Sequence, residues 1–244
     1  MPERRGRRHA DRPPGAGGQH RPRQGLQQAP GAQLEISQVL DEQAEGSVWE
    51  AAKAIAQFEG SGVDILNLSF ACFTADGEAP LVLATAIDRL DSEIVVVAAA
   101  GNHGDPRLRP KDLPGLTPRT PAWPAALDDV VAVGAVDADG KRAWFSPSGP
   151  EGSPDHAPWV DHSEVGVHVQ STYLEGEVCA ERLIKDPKTG KADTKKEKTA
   201  PFAPPWATWD GTSFAAATLS GRIAAGIRPG RVSAREALAQ LLSS

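Results

Sequence analysis

Short apolar runs alternate along this chain with segments whose apolar residues recur at helical spacing. The runs are rich in β-branched residues and have the length of buried strands. They lie at 33–40, 63–68, 94–98 and 130–136. Each is bounded by glycine, proline or acidic residues, which are typical of turns. The pattern therefore predicts four strands.

Helical spacing follows Ser47, which has Glu50 three positions later and so resembles a capping box. The same spacing occurs at 80–90, and again after Ser233, which has Glu236 three positions later. Strands that alternate with helices predict an α/β fold with three layers, α/β/α, around a mostly parallel sheet. Functional residues are then expected at the carboxyl ends of the strands.

A serine stands at the predicted start of a further helix. Residues 210–217 read Asp-Gly-Thr-Ser-Phe-Ala-Ala-Ala, so Ser213 follows a flexible glycine and precedes a helix-favouring run. Free backbone N–H groups and the helix dipole favour developing negative charge there, which suits a nucleophile. The alternative is that Ser213 or Thr212 only caps an alanine-rich helix.

An asparagine follows the most apolar of the predicted strands. The run at 94–100 ends in Gly101-Asn102-His103-Gly104. An amide at the carboxyl end of a buried strand can donate to an oxyanion in a crevice. The alternative is an ordinary glycine/asparagine turn.

Together these segments resemble the subtilisin-like serine peptidases, the subtilase family. Further segments match in the family's order, so that the resemblance covers roughly residues 29–230. They are Ala-Pro-Gly-Ala-Gln-Leu at 29–34, Val-Asp-Ile-Leu-Asn-Leu-Ser-Phe at 63–70, Pro-Ala-Trp-Pro-Ala at 121–125 and Val-Val-Ala-Val-Gly-Ala-Val at 130–136.

The resemblance implies a serine endopeptidase that needs no cofactor. Ser213 would be the nucleophile, and Asn102 would donate to the oxyanion. The substrate would be an extended peptide or protein segment, which adds as a strand beside an edge of the sheet. That substrate-binding edge would consist of Leu68, Ser69, Phe70 and Ala71.

Two further parts of the family's catalytic triad are not found. The family places an aspartate strand and a His-Gly-Thr helix start upstream of its Ala-Pro-Gly-Ala element. Here that element begins at residue 29, and the 28 residues before it contain neither motif. We therefore expect an N-terminally truncated domain, the C-terminal part of a catalytic domain. Without a base a serine is a weak nucleophile, so we expect this chain alone to be inactive.

Residues 1–28 differ in composition from the rest. They hold seven arginines and two acidic residues, and almost no large aliphatic side chain. Such a segment cannot bury enough apolar surface to order itself. It is a basic arm, a flexible tail or a translation artefact, of which we favour the artefact. Residues 29–244 would form the partial peptidase domain, with an insertion at about 175–205 that is rich in lysine.

Charge and composition exclude some classes of protein. The whole chain has a net charge of −6, so residues 29–244 carry −11, which argues against nucleic-acid binding. No apolar run reaches the length of a membrane span, and no signal peptide is visible. The two cysteines, Cys72 and Cys179, define neither a disulfide framework nor a compartment. Oligomeric state and localisation stay open.

A metal site is not expected. His156, His162 and His168 are each six residues apart, which matches no helical face and no zinc pattern. Asp137 and Asp139 are interpreted as residues of a solvated turn rather than as calcium ligands. His168 is expected to be structural or exposed.

Three functions remain from different classes. The first is the endopeptidase, and the second is a catalytically inactive, peptidase-like module that binds peptides. The third, a nucleotide-binding domain, ranks last because the glycines at 101 and 104 lack the full Gly-x-Gly-x-x-Gly pattern. Labelling of Ser213 by a fluorophosphonate separates the first from the second, and a nucleotide-induced thermal shift tests the third.

Overall fold

The computed structural model describes residues 28–41, 45–150, 153–172, 176–178, 181–185, 192–196, 200–202 and 206–243. The predicted N-terminal segment therefore lies outside the described residues except for residue 28. The same holds for Cys179 and for much of the predicted insertion at 175–205.

Helices and strands alternate along the first two thirds of the chain. In order they are α1 Val48–Ala56, β1 Ile65–Leu68, α2 Leu81–Asp88, β2 Val95–Ala99, a 3₁₀ turn Pro106–Leu108, β3 Val130–Val136, β4 His162–Val165, β5 Val169–Thr172, β6 Gly176–Val178, β7 Glu181–Lys185, β8 Ala192–Lys196, β9 Ala200–Phe202, β10 Trp206–Trp209, α3 Thr212–Gly226 and α4 Ala234–Leu242.

The central sheet contains β1, β2, β3 and β4 in that order, and every neighbouring pair is parallel. The register places Leu68 opposite Ala98, and Ala98 opposite Ala132. Because the strands are parallel, their carboxyl ends meet at one edge.

The side chains of β2 are buried on both faces of the sheet. Val96 and Ala98 pack in the cluster that includes residues of α1 and α2, whereas Val95 and Val97 pack in the cluster with α3 and α4. Alternate residues of a strand point to opposite faces, so two helical layers enclose the sheet. The predicted three-layer α/β/α fold with a mostly parallel sheet is confirmed.

The predicted helix starts have the expected caps. The Ser47 hydroxyl accepts a hydrogen bond from the Glu50 N–H at 3.1 Å, which begins α1. Before α4, Ser233 and Glu236 exchange side-chain to backbone hydrogen bonds in a full capping box. These local bonds satisfy N–H groups that a helix start leaves free, which is why the short motifs predicted the boundaries.

The strand predicted at 33–40 is wrong. Residues 32–39 have no regular structure, and the side chains of Leu34 and Ile36 are 46% and 63% exposed. A strand is stable only when a neighbour completes its hydrogen-bond ladder. Among the residues that the structure describes, no strand lies beside this segment.

Residues 162–172 form two separate strands. β4 ends at Val165, and His168 has a left-handed backbone with φ 54°. β5 then starts at Val169 and pairs antiparallel with β10 instead of joining the central sheet. A left-handed residue cannot continue a strand, so the chain turns away from the sheet here.

Small antiparallel ladders lie between β4 and α3. β5 pairs with β10, β6 with β9, and β7 with β8. The last pair falls within the predicted insertion, and the residues that join its strands lie outside the described ones.

Helix α3 packs on the sheet through small and aliphatic side chains. Ala215, Ala216 and Leu219 are fully buried against β2 and β3. Farther along the helix, Arg222 forms an ion pair with Glu164 of β4. Burial by itself raises the pKa of Glu164, but the hydrogen bond with His162 and the charge of Arg222 hold that pKa below its ordinary value.

We predict that Leu219→Ala lowers the free energy of unfolding by roughly 2–5 kcal/mol, because it leaves a cavity between α3 and the sheet. Chemical denaturation measures the change. The control is Leu81→Ala, because the Leu81 side chain is 80% exposed and its removal leaves no cavity. Equal effects of the two substitutions would contradict the described packing.

Candidate active site

Ser213 lies in the first turn of α3 and is 4% exposed. The residue before the helix, Gly211, has φ 156° and ψ 149°, a conformation that glycine alone adopts readily. Its N–H donates to the Gly166 carbonyl at 2.8 Å. This bond fixes the chain direction just before the nucleophile candidate.

Ser213 and Ser69 are joined by two hydrogen bonds. The Ser213 hydroxyl donates to the Ser69 carbonyl at 3.3 Å, and the Ser69 hydroxyl donates to the Ser213 carbonyl at 3.2 Å. Within the described part of the chain, the Ser213 N–H donates to no partner. A free N–H in the first turn of a helix is available to an anion.

Asn102 lies just beyond the carboxyl end of β2. Its side-chain oxygen accepts hydrogen bonds from the Thr212 N–H at 3.0 Å and from the Thr212 hydroxyl at 3.1 Å. A backbone N–H can only donate, so this contact fixes which end of the amide is oxygen. The amide nitrogen then points the other way, and it makes no hydrogen bond among the described residues. A Cβ at Gly211 would lie 3.5 Å from that nitrogen.

Thr212 connects the segment that carries Ser213 to the segment that carries Asn102. The sequence did not predict this connection. Besides its bonds to Asn102, its hydroxyl accepts from the Gly101 N–H at 3.0 Å. The alternative that Thr212 or Ser213 caps the helix is wrong, since Gly211 is the cap residue and no side chain caps it. The only signal in the sequence was the position of Thr212 between the glycine and the serine.

The predicted substrate-binding edge extends beyond β1. Leu68 and Ser69 are buried, while Phe70 is half-buried and Ala71 is exposed. The backbone groups of Phe70 and Ala71 have no hydrogen bonds to other described residues. The chain is anchored again at Cys72, which exchanges two backbone hydrogen bonds with Trp123 at 2.9 and 3.0 Å. The structure thus brings this edge close to Ser213 through Ser69.

A second contact between β1 and α3 was also missed. The amide nitrogen of Asn67 donates to the Ser69 hydroxyl at 2.9 Å, and its oxygen accepts from the Ser220 hydroxyl at 3.1 Å. Asn67 therefore connects the middle of α3 to the segment that contacts Ser213. An asparagine within a strand carries no distinctive sequence signal, since its partners are far away in the chain.

His103 is 2% exposed and follows Asn102 directly. Its Nε2 lies 2.9 Å from the Thr120 carbonyl. Burial lowers the pKa of His103 to about 4; the Thr120 bond opposes this shift, and the positive charge of Arg109 adds to it. The ring is therefore neutral at neutral pH.

Among the described residues, no histidine contacts the Ser213 hydroxyl. Burial lowers the pKa of His156, which lies near Arg142 and approaches Ser146. His168 is exposed, as expected, and its N–H donates to Asp210 at 2.7 Å. No cluster of histidine, cysteine or acidic side chains in the described ranges could hold a metal ion. Nor do these ranges include a helix of sufficient length and apolarity to cross a membrane.

Cys72 has a thiol that burial makes less acidic, with a pKa raised to about 11. The thiol is therefore protonated at neutral pH, and a protonated thiol is a poor nucleophile. Its possible pairing partner, Cys179, lies outside the described residues.

The sequence of this chain is similar to those of known peptidases. The model of the subtilase family of peptidases matches residues 13–231, so this chain belongs to the subtilase family. The thermostable alkaline protease of Halalkalibacterium halodurans is 34% identical over 146 residues, which are 59% of this chain and 34% of that protein. Subtilisin DY of Bacillus licheniformis is 33% identical over 146 residues, which are 59% of this chain and 46% of that protein.

A solved structure agrees with the fold. The S41 psychrophilic protease superposes with a TM-score of 0.58 at 22% sequence identity, over 88% of this chain and 61% of that one. The chain spans a third to a half of the length of the two curated relatives named above. The predicted resemblance and the subtilisin-like fold are confirmed, and the family supports a serine-type peptidase.

We predict that the folded protein loses stability as the pH falls from about 6.5 to about 4. The unfolded chain protonates His103 near pH 6.5, whereas the folded chain resists protonation down to about pH 4. The contribution of neutral His103 to the free energy of unfolding is therefore fully present above pH 6.5. By pH 4 roughly 3 kcal/mol of it is lost.

Denaturant melts of the native chain and of His103→Gln between pH 4.5 and 7 measure this slope. The variant should have a shallower slope, while His156, whose pKa is also lowered, keeps part of it in both proteins. The lowered pKa of Glu164 affects the free energy of unfolding only at pH values below those at which an ordinary carboxyl group is ionised. Identical slopes would show that His103 is not buried in its neutral form.

Proposed function

We propose that this chain provides the nucleophile and the oxyanion site of a serine endopeptidase. The observation that carries the proposal is the joining of Ser213 to Asn102 through Thr212. This arrangement leaves two donors without protein partners among the described residues: the Asn102 amide nitrogen and the Ser213 N–H. Both donors belong to the segments that flank the hydroxyl, as stabilisation of an oxyanion requires.

In the proposed reaction, the Ser213 oxygen attacks the carbonyl carbon of a peptide bond. The hydroxyl proton passes to a general base, and the carbonyl oxygen becomes an oxyanion that accepts hydrogen bonds from the two free donors. Collapse of the tetrahedral intermediate breaks the C–N bond, and the leaving amine takes up a proton. Water then hydrolyses the acyl-enzyme by the same steps.

The proposed substrate is an extended peptide segment. The unpaired backbone groups of Phe70 and Ala71 can pair with such a segment as with a neighbouring strand. Ser69 precedes these residues and contacts Ser213, so a peptide bound along this edge passes close to the hydroxyl. Main-chain pairing recognises the extended form of a substrate and leaves the choice of side chains to neighbouring pockets.

The base and its orienting acid are the missing parts of this mechanism. The Ser213 hydroxyl donates to a carbonyl, which cannot serve as a general base. We propose that both groups come from outside the described residues, and that this chain alone acylates slowly. Binding and the oxyanion donors by themselves support only weak catalysis.

A second candidate is a module that binds peptides and does not cleave them. It is favoured by the same contact, because a serine hydroxyl held by the Ser69 carbonyl is not activated. The edge at Phe70 and Ala71 would then bind an extended peptide without chemistry.

Ser213→Ala should abolish the slow covalent labelling of this chain by a fluorophosphonate, because it removes the hydroxyl with which the probe reacts. Asn102→Ala should slow labelling by about 10²–10³-fold, the general cost of removing one oxyanion donor. Intact-protein mass spectrometry measures the labelled fraction over time. Ser243→Ala, at an exposed serine near the end of α4, is the control and should label like the native chain. Labelling that survives in Ser213→Ala would exclude Ser213 as the nucleophile.

Imidazole added to the solution should accelerate acylation of this chain by an activated ester. If Ser213 lacks only its base, the rate should rise in proportion to imidazole concentration, by about 10-fold or more, within the usual contribution of general-base catalysis. The rate for Ser213→Ala should not respond beyond the reaction of imidazole with the ester itself. A native chain that is fast without imidazole would show that a base is already present.

The binding module makes a different prediction. Peptides that bind with equal affinity to the native chain and to Ser213→Ala, without labelling or imidazole response in either, would support the module. Such binding is measurable by calorimetry. Ala71→Pro removes a backbone N–H from the edge. A loss of peptide binding in this variant would show that the peptide binds at this edge.

A further inference from the structure

His103 is a buried polar side chain that the proposed mechanism does not use. Two aromatic rings from separate parts of the chain enclose its imidazole. The Phe73 ring meets it edge-on with the ring centroids 4.7 Å apart, and the Trp159 ring lies parallel to it with centroids 6.3 Å apart. The ring is therefore held in place by packing as well as by its hydrogen bond.

The hydrogen bond to Thr120 sets the tautomer of the neutral ring. A carbonyl only accepts, so Nε2 carries the hydrogen and Nδ1 carries a lone pair. Nδ1 has no partner among the described residues and faces Gly101, where a Cβ would lie only 3.0 Å away. Gly101, with φ 91°, thus leaves room for the ring directly beneath the turn that carries Asn102.

The backbone around His103 is fixed as well. Arg109 donates through Nε to the His103 carbonyl at 2.8 Å and through Nη2 to the Gly104 carbonyl at 3.4 Å. The Gly104 N–H donates to the Phe145 carbonyl at 3.0 Å. A Cβ at Gly104 would lie 2.2 Å from the Ser146 carbonyl oxygen, so this approach requires glycine.

The partners of His103 belong to the segments that build the rest of the site. Phe73 follows Cys72, which is anchored to Trp123 directly after the edge residues Phe70 and Ala71. Thr120 precedes Trp123 by three residues. His103 therefore connects the turn that carries Asn102 to the segments that follow the substrate-binding edge.

We propose that His103 is a positioning residue that orients the Asn102 amide toward the substrate-binding edge by joining the 101–104 turn to Phe73 and to the Thr120 carbonyl. The inference rests on the proposed function of Asn102. It goes beyond that function because the position of the oxyanion donor relative to the edge would depend on His103. This side chain touches neither the substrate nor the nucleophile. A histidine that only fills space would affect stability alone.

Two variants of the full chain separate these roles. His103→Gln keeps a terminal N–H that can reach the Thr120 carbonyl, whereas His103→Met has a similar length and lacks the donor. We expect fluorophosphonate labelling of Ser213 to fall about tenfold or more in His103→Met and to stay within about threefold of the native rate in His103→Gln.

Each substitution is repeated in an Asn102→Ala background. If His103 acts through Asn102, His103→Met should cause no further loss in this background, because the donor that it positions is already gone. An equal loss in both backgrounds would overturn the proposal, and so would an equal loss for Gln and Met. If His103→Met does not fold, Phe73→Leu loosens the same ring from its other side, and the same non-additivity is expected.

A spectroscopic measurement keeps this test apart from the proposed function. In the NMR spectrum, the side-chain amide signals of Asn102 should shift in His103→Met and remain near their native positions in His103→Gln, whether or not Ser213 reacts. If the native chain is not labelled but the Asn102 amide signals shift in His103→Met, the peptidase proposal is contradicted. The positioning role of His103 is then still supported. Unshifted Asn102 signals in a folded His103→Met would overturn the positioning role.

Discussion

Two hydrogen bonds from Thr212 to the side-chain oxygen of Asn102 join the start of α3 to the end of β2. They form only because α3 lies close to the sheet, and the closeness depends on alanines. Ala215 and Ala216 are fully buried and present a single methyl group to the strands, so the helix axis can approach them. Larger residues would separate the helix from the sheet, and the amide of Asn102 would lose the contact that fixes its orientation. The small size of the buried alanines therefore determines both the packing of the core and the position of the Asn102 amide.

Local signals predicted the local structure. Apolar runs located β1, β2 and β3, and the serine and glutamate pairs located the starts of α1 and α4. The strand expected at 33–40 failed because a strand depends on a neighbour, which a run of aliphatic residues cannot specify. The break between β4 and β5 depends on one left-handed residue, His168, and the type of a single residue predicts such a conformation only weakly. Ser213 and Asn102 were recognisable from their glycines, but Thr212, Asn67 and His103 are defined by partners distant in sequence.

The described residues include the proposed nucleophile and oxyanion donors but no general base. Hydrogen bonds hold the Ser213 hydroxyl, the Asn102 side-chain oxygen and the Ser69 carbonyl, and they join the start of α3 to the segments after β1 and β2. The Ser213 hydroxyl faces a carbonyl instead of a base. Preorganised donors act on charge once it has formed, whereas a base is needed to form it. In the proposed reaction, the described residues would stabilise the transition state and align a peptide, and proton transfer would fall to groups outside them.

The contact between His103, Phe73 and Trp159 also limits how the sequence can change over time. The rings of Phe73 and Trp159 both lie beside the His103 ring, and a Cβ at Gly101 or Gly104 would approach neighbouring atoms closely. A change in the size of the buried His103 side chain leaves either a void or a clash beside these rings, so the three aromatic positions are coupled through packing. Among related chains, the identities of these three residues should therefore vary together rather than one at a time.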